Sequence, residues 1–229
     1  MSLSFGRPMI AIPGPSIMPE RVIAAMQRSM PNIYEGPLVD VSHSILSDLK
    51  LVARTSAEPF IAIGNGHAAW EMVITNTMSR GDKVLVLESG RFAIGWGEAA
   101  ASHGVDVEVL PALSSRHPVD PAAVEARLRD DVNHEISAIL VVQSDTASSV
   151  RNDIPAIRAA ITAAGHPALF MVDCIASLGC ERYGKWTSVL TSRLARRRSG
   201  PDVPSRYLVC LGERTALAAH QTAGLVNSY

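Results

Sequence analysis

Four short polar stretches, each placed straight after a run of apolar residues, carry the side chains in this sequence that could do chemistry. The first is "GNGHAAWE" (64–71). Two glycines flank Asn65 just before a helical pattern, so Asn65, Gly66 and His67 would present backbone N–H groups at the positive end of a helix, which suits a phosphate. A plain glycine-rich turn explains the same residues, and the stretch is neither a Walker loop nor a GxGxxG fingerprint. The second is "ESGRFAIGW" (88–96), where Phe92 follows a glycine at a helix start and could cover a flat ligand or simply cap the core. The third, "QSDTASS" (143–149), offers Asp145 and Thr146 as ligand contacts or as a turn. The fourth is Asp173, which follows "ALFMV" (168–172). A carboxylate beside a buried strand is costly unless paired, so Asp173 either meets a cation or a protonated ring nitrogen, or caps a helix or turn. Taken together, a phosphate nest, an aromatic plate, a hydroxyl and a carboxylate are what a phosphorylated, protonated pyridine ring requires.

Positioning these groups falls to an alternation of strands and helices. "PFIAI" (59–63), "KVLVL" (83–87), "VDVEVL" (105–110), "SAILVV" (137–142) and "ALFMV" (168–172) are short apolar runs that read as strands. Between them, residues 67–79, 92–103, 120–130 and 153–164 carry apolar positions at helical spacing. Asp120 precedes Pro121, and Asp153 precedes "IPAIRAAITAAG", so both aspartates read as helix N-caps and Gly165 as a stop. The alternation implies βαβ units and one mainly parallel sheet, and in such sheets ligands bind beyond the carboxyl ends of the strands. The four polar stretches all lie there. Residues before 56 differ: a turn-rich loop leads into a helix near Pro19, and a second helix is expected from about Asp40.

Composition narrows the class. The chain has 229 residues, 47% hydrophobic and 19% charged, with a net charge of −1. This suits a globular core and supplies no overall attraction to nucleic acid or acidic membrane. Cys174, Cys180 and Cys210 form no CxxC pair and are odd in number, which points to a reduced, cytoplasmic setting. The first residues lack the apolar core of a signal peptide, and no apolar run approaches a membrane span. No motif suggests a metal.

The stretches "PGPSIMPERVIAAM" (13–26), "AAWEMVITNTMSRGDKVLVL" (68–87), "DVNHEISAILVVQSDTASSV" (131–150) and "AAGHPALFMVDCIASLG" (163–179) resemble the class V, fold type I, pyridoxal-phosphate aminotransferases. The likeness is to their serine–glyoxylate and alanine–glyoxylate branch and runs from about Arg7 to Tyr183. It implies a three-layer α/β/α sandwich with a mainly parallel sheet, the large domain of that fold type, incomplete here. Residues 1–183 would be the N-terminal segment and cofactor-binding core, 184–229 an aberrant remnant of the large domain, and the C-terminal small domain would be missing. The resemblance implies pyridoxal 5′-phosphate as cofactor, an amino acid and a 2-oxo acid as substrates, and a homodimer. Position by position, Asn65, Gly66 and His67 match the phosphate turn, Phe92 the residue stacked on the ring, and Thr146 the hydroxyl that contacts the cofactor. Asp173 matches the carboxylate that keeps the ring nitrogen protonated, and "PGPS" (13–16) a loop on the substrate side.

One position breaks the match. The family's lysine, which holds the cofactor as a Schiff base and moves the substrate proton, is expected at position 199, where Ser199 stands. The three lysines are Lys50, Lys83 and Lys185. Residues 184–212 show little period and contain Arg196, Arg197 and Arg198 in a row. A shift of reading frame accounts for this: codons for Trp186–Ser188 read one base earlier can give Met-Asp-Glu, and those for Arg196–Ser199 can give Ser-Gln-Lys. The expectation is therefore an irregular 185–211, resumption of a helix in "ERTALAAHQTAGL" (213–225), and a chain without transaminase activity as written. Two other classes remain: a non-catalytic remnant that binds the cofactor or pairs with an intact subunit, and a basic nucleic-acid module around residues 193–206. The last lacks the interleaved aromatics such modules use.

Overall fold

The computed structural model describes residues 18–27, 29, 31–52, 59–114, 116–178 and 207–211. In chain order these form α1 (Glu20–Met26), α2 (Pro37–Val52), β1 (Pro59–Ile63), α3 (Gly66–Thr77), β2 (Lys83–Leu87), α4 (Arg91–Ser102) and β3 (Asp106–Leu110). There follow α5 (Pro121–Asp130), β4 (Ile136–Val142), β5 (Ser144–Asp145), β6 (Val150–Arg151), α6 (Ile154–Ala163), β7 (Leu169–Asp173) and β8 (Tyr207–Leu211).

Four of the strands make one parallel sheet in the order β3-β2-β4-β7. The period-2 alternation of a strand decides which helices cover which face. Val84, Val86, Ala138, Leu140, Val142, Leu169 and Met171 point to one side and pack with Trp70 and Val73 of α3 and Trp96 and Ala100 of α4. Leu85, Leu87, Ile139, Val141, Phe170 and Val172 point to the other and pack with Val124 and Leu128 of α5 and Ile154, Ile157 and Ile161 of α6. The result is helix, sheet, helix: three layers around two apolar cores. Each fully buried Leu or Ile adds roughly 1.5–3 kcal/mol of transfer free energy. Sequence parity then places Asp173, two residues beyond Met171, on the α3/α4 side.

The helix boundaries follow local chemistry. The Asp120 side chain accepts from Ala122 N–H, with Pro121 at the first turn, and Asp153 accepts from Ala156 N–H at 3.0 Å. Gly165, at φ +65°, supplies the left-handed residue just beyond α6.

Three expectations need correction. Among the described residues the strand at 59–63 is not paired with the four-stranded sheet; β1 pairs in parallel with β8, Pro59 opposite Tyr207 through Ile63 opposite Leu211. Residues 207–211 are therefore a regular strand rather than irregular: "YLVCL" is apolar and rich in β-formers, and it finds a partner strand in β1. The second helix begins at Pro37, three positions before Asp40, because Pro is pre-organised for a first turn. Residues 185–206 and 213–225, including Lys185 and Ser199, and the "PGPS" loop lie outside the described residues.

Candidate functional site

The sheet order reverses between β2 and β4, since β3 continues on one side of β2 and β7 on the far side of β4. Such a reversal opens a crevice at the carboxyl ends of the two strands. The segments after β2 and β4 are stitched together there. The Asp145 carboxylate, buried at 1% exposure, accepts from the N–H groups of Phe92 and Ala93 at 2.9 and 3.1 Å, and from Ala147 N–H at 3.1 Å. It thus serves as the N-terminal cap of α4 from across the crevice. The Ser148 hydroxyl donates to the Ser89 carbonyl at 2.5 Å. Ser89 Oγ is buried beside it with no partner among the described residues. Gly90 is required at the crossing, because a Cβ there would sit 2.5 Å from Asp145 Cγ.

The first turn of α3 forms the next wall. Asn65 Oδ1 accepts from Ala68 N–H at 3.0 Å and the Asn65 carbonyl from Ala69 N–H at 3.2 Å. The side chain of Asn65 is thus committed to capping the helix, and among the described residues the first-turn donors that remain are the N–H groups of Gly66 and His67. A Cβ on Gly66 would meet Ile175 Cδ1 at 3.0 Å, so this turn lies against the loop that follows β7.

Asp173 closes the group. It is 3% exposed; Oδ2 accepts from the indole N–H of Trp70 at 2.9 Å and Oδ1 from Ile175 N–H at 2.9 Å. Burial pushes its pKa up, against the opposing pull of the Ile175 and Trp70 N–H groups. Among the described residues no cationic side chain forms an ion pair with it. Trp70 in turn contacts His67 (centroids 4.7 Å), Phe92 (6.4 Å, edge-on) and Trp96 (6.0 Å, stacked). His67, Phe92 and Asp173 thus converge around one indole, and Gly66 lies against Ile175, whose N–H binds Asp173. Thr146 begins the turn between β5 and β6 and is tied to the group through its neighbour Asp145. No set of three or more His, Cys, Asp or Glu among the described residues is placed to hold a metal ion.

Sequence comparison gives the arrangement a context. The chain is 33% identical over 221 residues to the serine–glyoxylate aminotransferase of Methylorubrum extorquens, covering 96% of the chain and 55% of that protein. It is 38% identical over 174 residues to the L-aspartate–glyoxylate aminotransferase of Paracoccus denitrificans, covering 74% of the chain and 43% of that protein. The chain belongs to the class V aminotransferase family. No family model matches it. Its fold is shared with pyridoxamine–pyruvate aminotransferase from Mesorhizobium loti (TM-score 0.67, 24% identity, 80% of this chain and 45% of that one). It is shared too with an aspartate aminotransferase from Thermus thermophilus (TM-score 0.64, 25% identity, 73% and 46%). The chain spans about half the length of the curated relatives it matches.

Pyridoxal phosphate, the cofactor that family membership implies, fits what the residues offer. An anion would find two N–H groups at the positive end of a helix, and a protonated ring nitrogen would supply the counter-charge that buried Asp173 lacks. Sequence reasoning did not single out Trp70 and left the duty of Asp145 open. Trp70 reads there as one more core aromatic; the signal was that a buried indole needs a partner for its N–H. Asp145 reads as a turn residue or ligand contact and is instead the clasp between two strand ends.

Proposed function

We propose that this chain carries the cofactor-binding part of a pyridoxal-phosphate-dependent aminotransferase of the glyoxylate type, and that as written it binds the cofactor without completing amino transfer. The reading is supported most by one observation: a carboxylate at 3% exposure and without a cationic partner among the described residues stands beside the open N-terminus of α3. Bound at that position, the cofactor supplies an electron-accepting ring for a substrate that has lost its Cα proton. The chain's own residues have simpler tasks. Gly66 and His67 hold the phosphate through backbone N–H groups, and Asn65 keeps that helix end in shape. Phe92, its backbone held by Asp145, would supply an aromatic face to the ring. Thr146 contacts the cofactor, and Asp173 holds the proton on the ring nitrogen.

Serine or alanine is the amino donor in this proposal and glyoxylate or another 2-oxo acid the acceptor; the two sequence relatives named above share glyoxylate and differ in donor. Amino transfer also needs an amine that bonds the cofactor and then acts as a base near Cα. Ser199, at the position matched to that lysine, can do neither, and the neighbouring guanidinium groups stay protonated. The test combines spectroscopy with turnover. Purified chain is mixed with pyridoxal phosphate, reduced with borohydride and mapped by mass spectrometry, and serine–glyoxylate turnover is assayed in parallel. Saturable binding without an adduct or turnover is the expected result. A stoichiometric pyridoxyl adduct on Lys185 with turnover would refute the inactive reading, and no binding at all would refute the cofactor site.

A further inference from the structure

Asp173 and Trp70 come from distant parts of the chain, and neither reaches solvent: they are 3% and 2% exposed. A carboxylate has about four acceptor positions. Two are taken, one on each oxygen, by Ile175 N–H and by the Trp70 indole, both at 2.9 Å. The two donors differ in kind. Ile175 is two residues along the same chain and would follow any movement of Asp173. Trp70 belongs to α3 and is wedged between His67, Phe92 and Trp96, so it offers a fixed external anchor.

We infer that Trp70 is a positioning residue of this site: its indole N–H fixes the Asp173 carboxylate and keeps it available as an anion for a protonated heteroaromatic nitrogen. The inference rests on the cofactor reading proposed above, but its first consequence concerns the chain alone. The groups that bear most on the charge of Asp173 among the described residues can be named. Burial and the nearby Asp145 carboxylate disfavour ionisation; Ile175 N–H, the Trp70 indole and His67 favour it. Of the two hydrogen-bond donors, the indole is the one that substitution can remove while a ring remains to fill the space. Phenylalanine at 70 therefore keeps most of the packing and deletes one charge-assisted hydrogen bond, so Asp173 should ionise only at higher pH.

The experiment has two arms. In the first, carbon-13 labelled aspartate is followed by NMR in the ligand-free chain and in W70F, with D173N used to assign the signal; the Asp173 midpoint should move upward in W70F. In the second, binding of 4′-deoxypyridoxine 5′-phosphate, which cannot form an imine, is compared with its analogue carrying C–H in place of the ring nitrogen. W70F should weaken the pyridine ligand roughly ten- to a hundredfold at neutral pH and leave the carbon analogue unchanged. Should W70F fail to fold, benzothienylalanine at position 70 preserves the ring shape and removes only the N–H. An unmoved Asp173 midpoint, or equal weakening of both ligands, would overturn the inference. Failure of the unmodified chain to bind either ligand would refute the cofactor reading, while the first arm would still decide the role of Trp70.

Discussion

Substituting Gly90 by alanine tests the crossing point on which the site depends. The added Cβ would lie 2.5 Å from Asp145 Cγ and 2.7 Å from each of its oxygens. Real contacts of this kind do not fall below about 3 Å, so something must move. Asp145 is not a free end that can swing away, because it is 1% exposed and accepts three backbone N–H groups. Displacing it costs an N-cap, about 0.5–2 kcal/mol, and crowding a packed interior costs about 1–3 kcal/mol. We expect G90A to lose about 2–4 kcal/mol, a large share of the ~5–15 kcal/mol of a typical domain. Urea denaturation measures the loss, and a double-mutant cycle identifies its cause. D145A alone removes the cap. In that background the alanine at 90 has no carboxylate to strike, so its further cost should fall below about 1 kcal/mol. Strictly additive losses would show that the Gly90–Asp145 clash is not the mechanism.

Other substitutions probe different supports. His166 is buried; its Nδ1 accepts from Ala168 N–H, so it is held neutral with Nε2–H donated to Asp131. Burial depresses its pKa below 6.5, so the unfolded chain takes up the proton first: stability is complete above about pH 6.5 and falls as pH drops through the folded-state value. Denaturation midpoints measured across that range should show this fall, and H166Q should flatten it. D153A, which removes the cap on α6, should cost about 1 kcal/mol without altering ligand affinity, as judged by thermal unfolding and by titration with pyridoxal phosphate. E108Q breaks a half-exposed pair with Arg127 and should cost at most about 1 kcal/mol, less in high salt, in the same denaturation assay.

What could be read in advance followed the strength of each local signal. Apolar runs bounded by polar residues located the strands, and Asp120 and Asp153 before prolines or apolar turns located helix starts, because propensity and capping act within a few residues. The two-residue ladder Ser144–Asp145 with Val150–Arg151 left no period to detect. The pairing of β1 with β8 joins segments more than 140 residues apart and could not be inferred from either strand. Within the site, residue types were legible and their duties less so. Asn65 and Asp145 were candidate ligand contacts, yet their side chains hold helix ends in place. Whether a carboxylate faces a ligand or a backbone N–H is set by tertiary direction, which a sequence window does not contain.

That division of labour gives α3 a particular importance. Its first residue, Gly66, offers the helix end that would hold an anion, and Trp70, four residues on, holds the carboxylate that would meet a cation. Four residues are about 6 Å along a helix axis and bring the two positions back to the same face. A single turn of one rigid element therefore sets both demands of a ligand that carries a phosphate at one end and a protonated nitrogen at the other. The sheet contributes the remainder through parity, since Asp173 faces Trp70 only because it continues the alternation of Leu169 and Met171. A one-residue slip of β7 would turn Asp173 toward α5 and α6, into an apolar core with no donor for it. The burial of Phe170 and Val172 on that second face is thus what fixes the direction of Asp173, and the chemistry of the crevice depends on apolar packing on the opposite side of the sheet.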